Sequence, residues 1–431
     1  MKSIYKATIA CLIFAAALCS CSPAVNTGLI PATSLKRLGI KEKSIDRLDS
    51  LLGSALINQW AAEAAALVAQ NGEIVFNKSF GFRDRETKAL SRGIDAFRLG
   101  ALTQPIVSLA ALLLVEKGKL NLDDKVAKYI PEFSKPEIIN SFNPKDTSFT
   151  TKPALSDITI RQLLNHTSGI AGAGNSAMAM LYKKNNIPLF ATTENFSLNA
   201  KMKTLATLPL AYQPSNQYSN GLSTDVLGAV IEKASGLTLD SVVSQSILRP
   251  LGMANTYFFL PLGKANRLST MYSELPNGRL QRSPIMQKQF DLNYPIAGAK
   301  SYLSGATGMV STADDYAKFL QMILNKGLFN HKQIAKAQTV ALITENQIGD
   351  LMADEHKYSF GFDLEMNAQA STRAMPGKLS RKGEFNTYCW VDAQRGTIAL
   401  LFTQVYPSIN GQKLRDDFER VVNEIFDGAK K

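Results

Sequence analysis

The strand-like segments of this 431-residue chain lie near its two ends, and helical patterns fill the stretch between them. Apolar runs at Ala64–Ala69 and Ile74–Phe80 flank an Asn-Gly pair, which is a strong signal for a β-hairpin. A second pair of strand-like segments, Tyr388–Val391 and Thr397–Thr403, lies near the C-terminus. We therefore predict an α+β fold, in which an antiparallel sheet built from both chain ends is flanked by helices.

Helical patterns mark at least five segments. Apolar residues recur on one face of a first helix from Ile45 to Leu56 and of a last helix from Leu414 to Ile425. The apolar run Ile106–Val115 is too short to cross a bilayer, so it predicts a buried helix. A capping box at Thr159 and an N-cap at Thr312 predict two further helix starts.

The charge balance is basic, with 48 Lys and Arg against 36 Asp and Glu, which gives a net charge of +12. The basic residues are scattered and form no recognised nucleic-acid-binding module, so we expect no nucleic-acid partner. Such an excess favours an anionic lipid or polymer surface. We also expect no cofactor and no metal site, because His331 and His356 lack partners at ligand spacing.

The N-terminus has the pattern of a targeting segment. Two lysines precede an apolar run from Ala7 to Leu18, which is too short for a transmembrane helix. The following residues resemble the bacterial lipobox, in which a Leu and two small residues precede a Cys that is lipidated and becomes the mature N-terminus. The resemblance implies a lipoprotein signal peptide over residues 1–20, lipidation at Cys21 and a tether over residues 21–42.

The same resemblance implies a place in the bacterial cell envelope, anchored to a membrane and facing the periplasm. An ordinary signal peptide cleaved nearby is the alternative. Once the signal peptide has left and Cys21 is modified, Cys389 is the one cysteine that remains, so no internal disulfide can form. Cys389 lies in a predicted strand, and we interpret it as a small core residue.

Five segments, in order along the chain, resemble the serine β-lactamase and penicillin-binding-protein family, especially its class C-like and esterase branch. They are Phe97–Gly100, Leu120–Val126 with Tyr129–Pro131, Ile158–Ile170, Tyr218–Asn220 and Gly308–Asp315. The resemblance spans residues 43–428 and implies a β-lactamase/transpeptidase-like fold. It places an α/β part at about residues 43–125 and 300–428, and a mostly helical inserted part at about residues 126–299.

The chemistry of this family is acyl transfer from a Ser-x-x-Lys motif, supported by a Tyr-x-Asn element and by backbone N–H groups that bind the oxyanion. Aligned on Phe97–Gly100, the nucleophile position of this chain holds Ala101 and the Lys position holds Gln104. A methyl group cannot attack a carbonyl, and a neutral amide cannot act as the base. The resemblance therefore implies a member without the standard acyl-enzyme mechanism. Neither Thr103 nor Ser108 is placed to substitute for the serine.

Pro105 adds a further departure close to the nucleophile position. Proline lacks the N–H that a helix starting near Ala101 would need at this point. Two interpretations stay open: the helix begins later or with a distorted turn, or Pro105 falls in a first turn, where proline is tolerated.

The resemblance also implies binding residues. Tyr218 and Asn220 match the Tyr-x-Asn element, and Arg381-Lys382-Gly383 stands where the family has its third motif. The N–H of the next residue, Glu384, would then be the second oxyanion donor, and the two cations would suit a carboxylate. The alternatives are local hydrogen bonding at the first element and an exposed basic strand end at the second. His166 belongs to a turn that is structural in this family.

Three functions follow from these observations. The first is a lipid-anchored, non-catalytic protein that binds a peptide or cell-wall-type ligand in the inherited cleft. The second is an active esterase or β-lactam or D-alanyl peptide hydrolase with a non-standard mechanism. The third is an interaction scaffold with a closed cleft.

Overall fold

The computed structural model describes residues 27–284, 286–287, 290–352, 356–365 and 378–427. The predicted signal peptide and the predicted lipidation site, Cys21, lie outside these residues. Within the described residues, no helix is both long enough and apolar enough to span a bilayer.

The regular elements are eleven helices and nineteen strands within the described ranges. The helices are α1 (Glu42–Ile57), α2 (Thr103–Glu116), α3 (Ile160–Leu164), α4 (Ser176–Lys184), α5 (Leu198–Ala206), α6 (Ser223–Ser235), α7 (Leu239–Val243), α8 (Arg249–Leu251), α9 (Ala313–Leu324), α10 (Ala337–Thr344) and α11 (Gly411–Asp427). The strands are β1 (Ile30–Pro31), β2 (Glu63–Gln70), β3 (Glu73–Asp84), β4 (Ala89–Leu90), β5 (Phe97–Arg98), β6 (Glu137–Phe142), β7 (Phe149–Pro153), β8 (Tyr272–Glu274), β9 (Leu280–Arg282), β10 (Met286–Gln287), β11 (Phe290–Asp291), β12 (Val310–Ser311), β13 (Leu328–Phe329), β14 (Lys332–Gln333), β15 (His356–Tyr358), β16 (Asp363–Glu365), β17 (Lys378–Lys382), β18 (Thr387–Asp392) and β19 (Thr397–Phe402).

One large sheet joins the two ends of the chain, with the strand order β1-β3-β2-β19-β18-β17-β16-β15 and β4 paired to β3. The predicted hairpins are present as β2–β3 and β18–β19, and Leu400 of β19 pairs with Leu67 of β2. Every pair is antiparallel except β1 with β3. The predicted α+β class, with a sheet built from both ends, is therefore confirmed.

Helices cover both faces of this sheet. On one face, α1 and α11 pack apolar residues such as Leu48 and Phe418 against Trp390 of β18. On the other face, a larger core contains α2, α6 and α9. The predicted first, second and last helices are present, as are the capping box at Thr159 and the N-cap at Thr312.

Part of the predicted tether is attached to the domain. Ile30 and Pro31 form β1, which pairs with β3, and Ile40 is buried. The backbone oxygen of Thr27 accepts hydrogen bonds from the side chain of Asn325, which directly follows α9, and from the N–H of Asn330 in the β13–β14 turn. Apolar side chains between residues 29 and 40 pack against the two cores, so this part of the predicted tether is packed on the domain.

Candidate functional site

The nucleophile position lies at the start of α2, which is buried among other elements. A 3-10 turn, Gly100–Leu102, precedes the helix, and Ala101 is only 2% exposed. The α-helix itself begins at Thr103, so Pro105 is its third residue. The first four N–H groups of a helix have no partner inside it, and proline is tolerated there. Both interpretations are therefore confirmed in part: the helix begins after Ala101, and Pro105 falls in its first turn.

The Glu384 carboxylate lies on the two backbone N–H groups that the family resemblance implied as oxyanion donors. The backbone N–H of Ala101 donates to Oε2 of Glu384 at 2.8 Å, and the N–H of Glu384 itself also donates to this carboxylate. The sequence predicted these two N–H groups as donors, but it did not predict that a side chain of the same protein would be their acceptor. Burial raises the pKa of the Glu384 carboxyl, while these two hydrogen bonds and the nearby Arg381 oppose the shift.

Gly100 makes room for this carboxylate. Its φ of +57° lies in the left-handed region, which favours glycine. A Cβ at this position would overlap Oε2 of Glu384 and would lie 2.9 Å from its backbone nitrogen. The backbone before Ala101 is therefore shaped to accept the side chain of Glu384.

Gln104 links two of the predicted binding residues instead of acting as a base. Its Oε1 accepts a hydrogen bond from Arg381, and its Nε2 donates to Oδ1 of Asn220 at 3.2 Å. Arg381 also pairs with Asp363 at 3.3 Å. A neutral amide that both accepts and donates suits this bridging position, which a lysine could not fill in the same way.

Arg381 lies beside a group of aromatic rings that the sequence analysis did not predict. We call this group, which consists of Tyr358, Tyr218 and His166, the aromatic wall. Arg381 is 3% exposed, and its guanidinium stands 5.3 Å from the centre of the Tyr358 ring. The ring of Tyr218 lies 4.9 Å from that of Tyr358. Burial raises the pKa of Tyr218 to about 12, although the charge of Arg381 opposes this, so the phenol is protonated at neutral pH.

His166 completes this wall. Its ring lies 5.3 Å from Tyr358 and 6.0 Å from Tyr218 in edge-on contacts. Burial, with a smaller contribution from Arg381, lowers the pKa of His166 to about 3, so its imidazole is neutral. The sequence placed His166 in a structural turn, and the structure adds that this turn brings the ring beside the site.

Three buried polar atoms of this cluster have no hydrogen-bond partner among the described residues. They are Nε of Arg381, the hydroxyl of Tyr358 and Nδ1 of His166. Buried polar groups usually find a partner, which can be a water molecule or a ligand. The cluster is therefore suited to hold a small polar group.

The rim of the site differs from its centre in exposure. Asn220 and Lys382 are exposed, whereas Tyr218, Gly383 and Glu384 are half-buried. Contacts connect Ala101 with Glu384, and Gln104 with Asn220 and Arg381, and no such contact joins Lys382 to the group. The predicted residues other than Lys382 thus lie around one site, at which Asn220 is exposed. Lys382 pairs with Tyr388 of the smaller core and therefore lies on the opposite face of the sheet from Arg381.

No replacement for the missing serine stands out among the nearby side chains. The Thr103 hydroxyl is fully buried and accepts the N–H of Met309 at 3.1 Å, and Ser108 is buried as well. Cys389 is buried in β18, and burial raises the pKa of its thiol. In the part of the chain that the structure describes, no group of three or more His, Cys, Asp or Glu side chains could hold a metal ion.

Comparisons with known proteins agree on one family. A family model described as Beta-lactamase matches residues 48–424. The Esterase EstB of Burkholderia gladioli is 29% identical over 391 residues, which cover 85% of this chain and 92% of the esterase.

Two solved structures show the same architecture. That of EstCE1, described as a hydrolase with promiscuous acyltransferase activity, aligns with a TM-score of 0.73 and 23% identity over 92% of this chain and all (100%) of that one. The octameric penicillin-binding protein homologue from Pyrococcus abyssi aligns with a TM-score of 0.62 and 20% identity, over 84% of this chain and 73% of that one.

Proposed function

The chain belongs to the beta-lactamase family, and from this premise we propose that it is a lipid-anchored member that binds a ligand without hydrolysing it. The fold is the serine β-lactamase/transpeptidase fold that the sequence resemblance implied. The proposed ligand is a peptide or a cell-wall-type fragment, and the proposed place is the periplasmic side of a bacterial membrane.

The observation that carries the loss of hydrolysis is the position of the Glu384 carboxylate. It accepts the N–H of Ala101 and its own N–H, which are the two donors that would stabilise a tetrahedral oxyanion. The Glu384 carboxylate excludes a substrate oxyanion from these two donors, because the two negative charges would repel each other and the space is already filled. Together with the missing hydroxyl at Ala101, this removes both the nucleophile and the transition-state stabilisation.

The accessible rim supports a retained binding role. Asn220, which accepts a hydrogen bond from Gln104, is exposed at the edge of the site. A peptide amide or carboxyl group can pair with this side chain without needing the filled centre.

Intact mass spectrometry after incubation with a reactive β-lactam or a fluorophosphonate tests the catalytic half of this proposal. We expect no added mass on the folded protein. A stoichiometric adduct would contradict the proposal, and its tryptic mapping would identify the nucleophile.

Calorimetric titration tests the binding half, with peptides that end in a free carboxylate and with disaccharide-peptide fragments of the cell wall. We expect binding that weakens about tenfold in an Asn220→Ala variant, the rim variant. Asn277→Ala is the matched control, because Asn277 is also exposed and lies in the β8–β9 turn. An unchanged affinity in the rim variant would contradict the proposed ligand position.

A second candidate, the closed scaffold, is favoured by the Gln104 bridge between Arg381 and Asn220, which satisfies polar groups internally. Absence of binding to every fragment, together with absence of an adduct, would favour it. The third candidate, an active hydrolase with a non-standard mechanism, is favoured by the likeness to an esterase. Robust hydrolysis of p-nitrophenyl acetate or nitrocefin would support that candidate.

A further inference from the structure

We propose that one lysine-rich face of the domain docks on an anionic phospholipid bilayer. This basic face consists of Lys117 and Lys119 after α2, Lys326 after α9, Lys332 in β14 and Lys336 before α10. Binding of the basic face to anionic lipid does not depend on the proposed lipid anchor. The orientation of the domain on the membrane depends on both the basic face and the anchor.

The described chain begins at this face. The backbone oxygen of Thr27 accepts from Nδ2 of Asn325 at 2.9 Å, and its hydroxyl accepts from the N–H of His331 at 2.8 Å. Asn325 and His331 are the neighbours of Lys326 and Lys332. Six residues of chain span about 20 Å when extended, so an anchor at Cys21 would hold this face close to the bilayer.

Hydrogen bonds join the separate elements into one face. The Glu116 carboxylate at the end of α2 accepts from the N–H of Lys336 at 3.0 Å and from the hydroxyl of Thr339 in α10. Gly327, which follows Lys326, accepts from the N–H of Ile334 at 2.8 Å. The lysines at the end of α2 and around the β13–β14 hairpin therefore lie on neighbouring elements.

The charge of this face is not neutralised within the protein. All five lysines are exposed, and none has an acidic partner at ion-pair distance among the described residues. The nearest acid in sequence, Glu116, is already engaged by two hydrogen bonds. Clustered unpaired lysines are attracted to the negative surface of an anionic membrane.

An apolar cavity opens beside the same lysines. It has a volume of about 300 Å³ between α9, α10 and the sheet, and most of its lining is apolar, including Ile323, Leu324 and Val340. Lys326 and Glu345 are the charged residues of this lining. An apolar recess next to a cation matches the boundary between lipid headgroups and acyl chains. The partner that fits both features is an anionic phospholipid, whose headgroup meets the lysines while an acyl chain enters the cavity.

Vesicle cosedimentation tests this proposal with residues 22–431, which lack the predicted signal peptide and the predicted lipidation site, so that neither contributes to binding. Vesicles of phosphatidylglycerol and phosphatidylcholine are compared with vesicles of phosphatidylcholine alone. We expect at least tenfold tighter binding to the anionic vesicles, and we expect 0.5 M salt to abolish this preference. Replacing all five lysines of the basic face by glutamine should remove most of the preference.

The matched control replaces five other exposed lysines by glutamine, Lys88, Lys135, Lys145, Lys152 and Lys183. It changes the net charge equally, and we expect it to retain binding within about twofold. An equal loss in both variants, or no preference for anionic vesicles, would overturn the proposal. If the first variant does not fold, replacement of the same five lysines by arginine should keep the preference, and its loss would also overturn the proposal.

The test is separate from that of the proposed function. Cleft binding is read by calorimetry with soluble fragments, which do not involve the basic face. A failure of vesicle binding therefore leaves the cleft result unchanged, and the reverse also holds.

Discussion

At the scale of single residues, Glu384 has the largest effect on what this site can do. A carboxylate on two backbone N–H groups forms charge-assisted hydrogen bonds, which are stronger than those to a neutral carbonyl. A substrate carbonyl would therefore have to displace a bound anion before it could be activated. Under the proposed function, the two N–H groups that the resemblance implied as oxyanion donors are already engaged by this carboxylate.

Restoring the missing pair without changing Glu384 should recover little activity. We expect the Ala101→Ser/Gln104→Lys variant to hydrolyse p-nitrophenyl acetate only slightly above background. Adding Glu384→Gly should raise the rate by about 100-fold, because one oxyanion donor alone contributes about 10²–10³ in rate. Steady-state rates of the double and triple variants give the comparison.

The control for this series keeps Ala101 and carries only Gln104→Lys and Glu384→Gly. It should remain inactive, because it has no nucleophile. If the Ala101→Ser/Gln104→Lys variant, which keeps Glu384, were as active as the triple variant, this would contradict the blocking role of Glu384.

His166 should give the stability of the protein a pH dependence of known sign. Folding lowers the pKa of His166 to about 3 from its ordinary value of 6.5. Between these values the unfolded chain binds a proton that the folded chain does not, so the stability from the neutral ring is complete above pH 6.5 and is lost as the pH falls. The loss amounts to about 1 kcal/mol per pH unit.

Denaturant unfolding of the wild type and of His166→Asn between pH 7.5 and pH 4.5 measures this effect. Asparagine accepts the positive φ of 58° at this position better than most residues do. The stability difference between the two proteins should shrink as the pH falls. A difference that is constant over this range would contradict a neutral, buried imidazole.

The sequence predicted some residues of the site better than others. Ala101 and Gln104 follow directly from one short segment, so their position could be read from the chain itself. The side chain of Glu384 could not, because its partner Ala101 is 283 residues away in sequence. Tyr358 and Asp363 were also missed, although a buried cation such as Arg381 signals that an acid and an aromatic ring are needed nearby.

At the scale of elements, the start of α2 shows how a helix can accept a proline close to an active-site position. The 3-10 turn Gly100–Leu102 places Ala101 outside the α-helix, and Pro105 then falls where no intrahelical N–H is needed. Amphipathic periodicity was enough to predict α1 and α11, and a continuous apolar run was enough to predict α2. Sequence pattern of this kind has a limit. It was not enough for residues 27–42, because a few apolar residues in a Pro- and Gly-containing stretch do not reveal a docked edge strand.

Pro105→Ala should be nearly neutral for stability. We expect a change of less than about 1 kcal/mol in the free energy of unfolding, because the proline neither breaks a hydrogen bond nor sits in the helix interior. Ser108→Pro, three residues further into the same helix, should cost about 3 kcal/mol or more. Urea unfolding of both variants provides the measurement, and equal costs would contradict the observed start of α2.

At the scale of the whole molecule, the sheet separates two cores. The smaller one joins α1 and α11, whose Phe418 packs 5.5 Å from the ring of Trp390. The larger one lies on the other face and supports the candidate site through α2. The sequence predicted this arrangement at the level of its class, because strand signals at both ends with helical patterns between them are typical of a sheet assembled from both ends.

Phe418→Ala should destabilise the protein by about 3–5 kcal/mol, because it removes a fully buried ring from the smaller core. Ile409→Ala is the control, since Ile409 is 58% exposed, and it should change stability by less than about 0.5 kcal/mol. Thermal unfolding followed by near- and far-UV circular dichroism measures both. A small effect of Phe418→Ala would contradict a required contact between the C-terminal helix and the sheet.

The pairing of β2 with β19 also means that the large sheet cannot be completed until the C-terminal strands have been synthesised. The strand that contains Leu67 gains its partner on this side only after the strand that contains Leu400 has been synthesised. A nascent or truncated chain that stops before residue 397 therefore exposes an unpaired apolar strand edge. Premature termination should yield aggregation or proteolysis instead of a shortened but folded product.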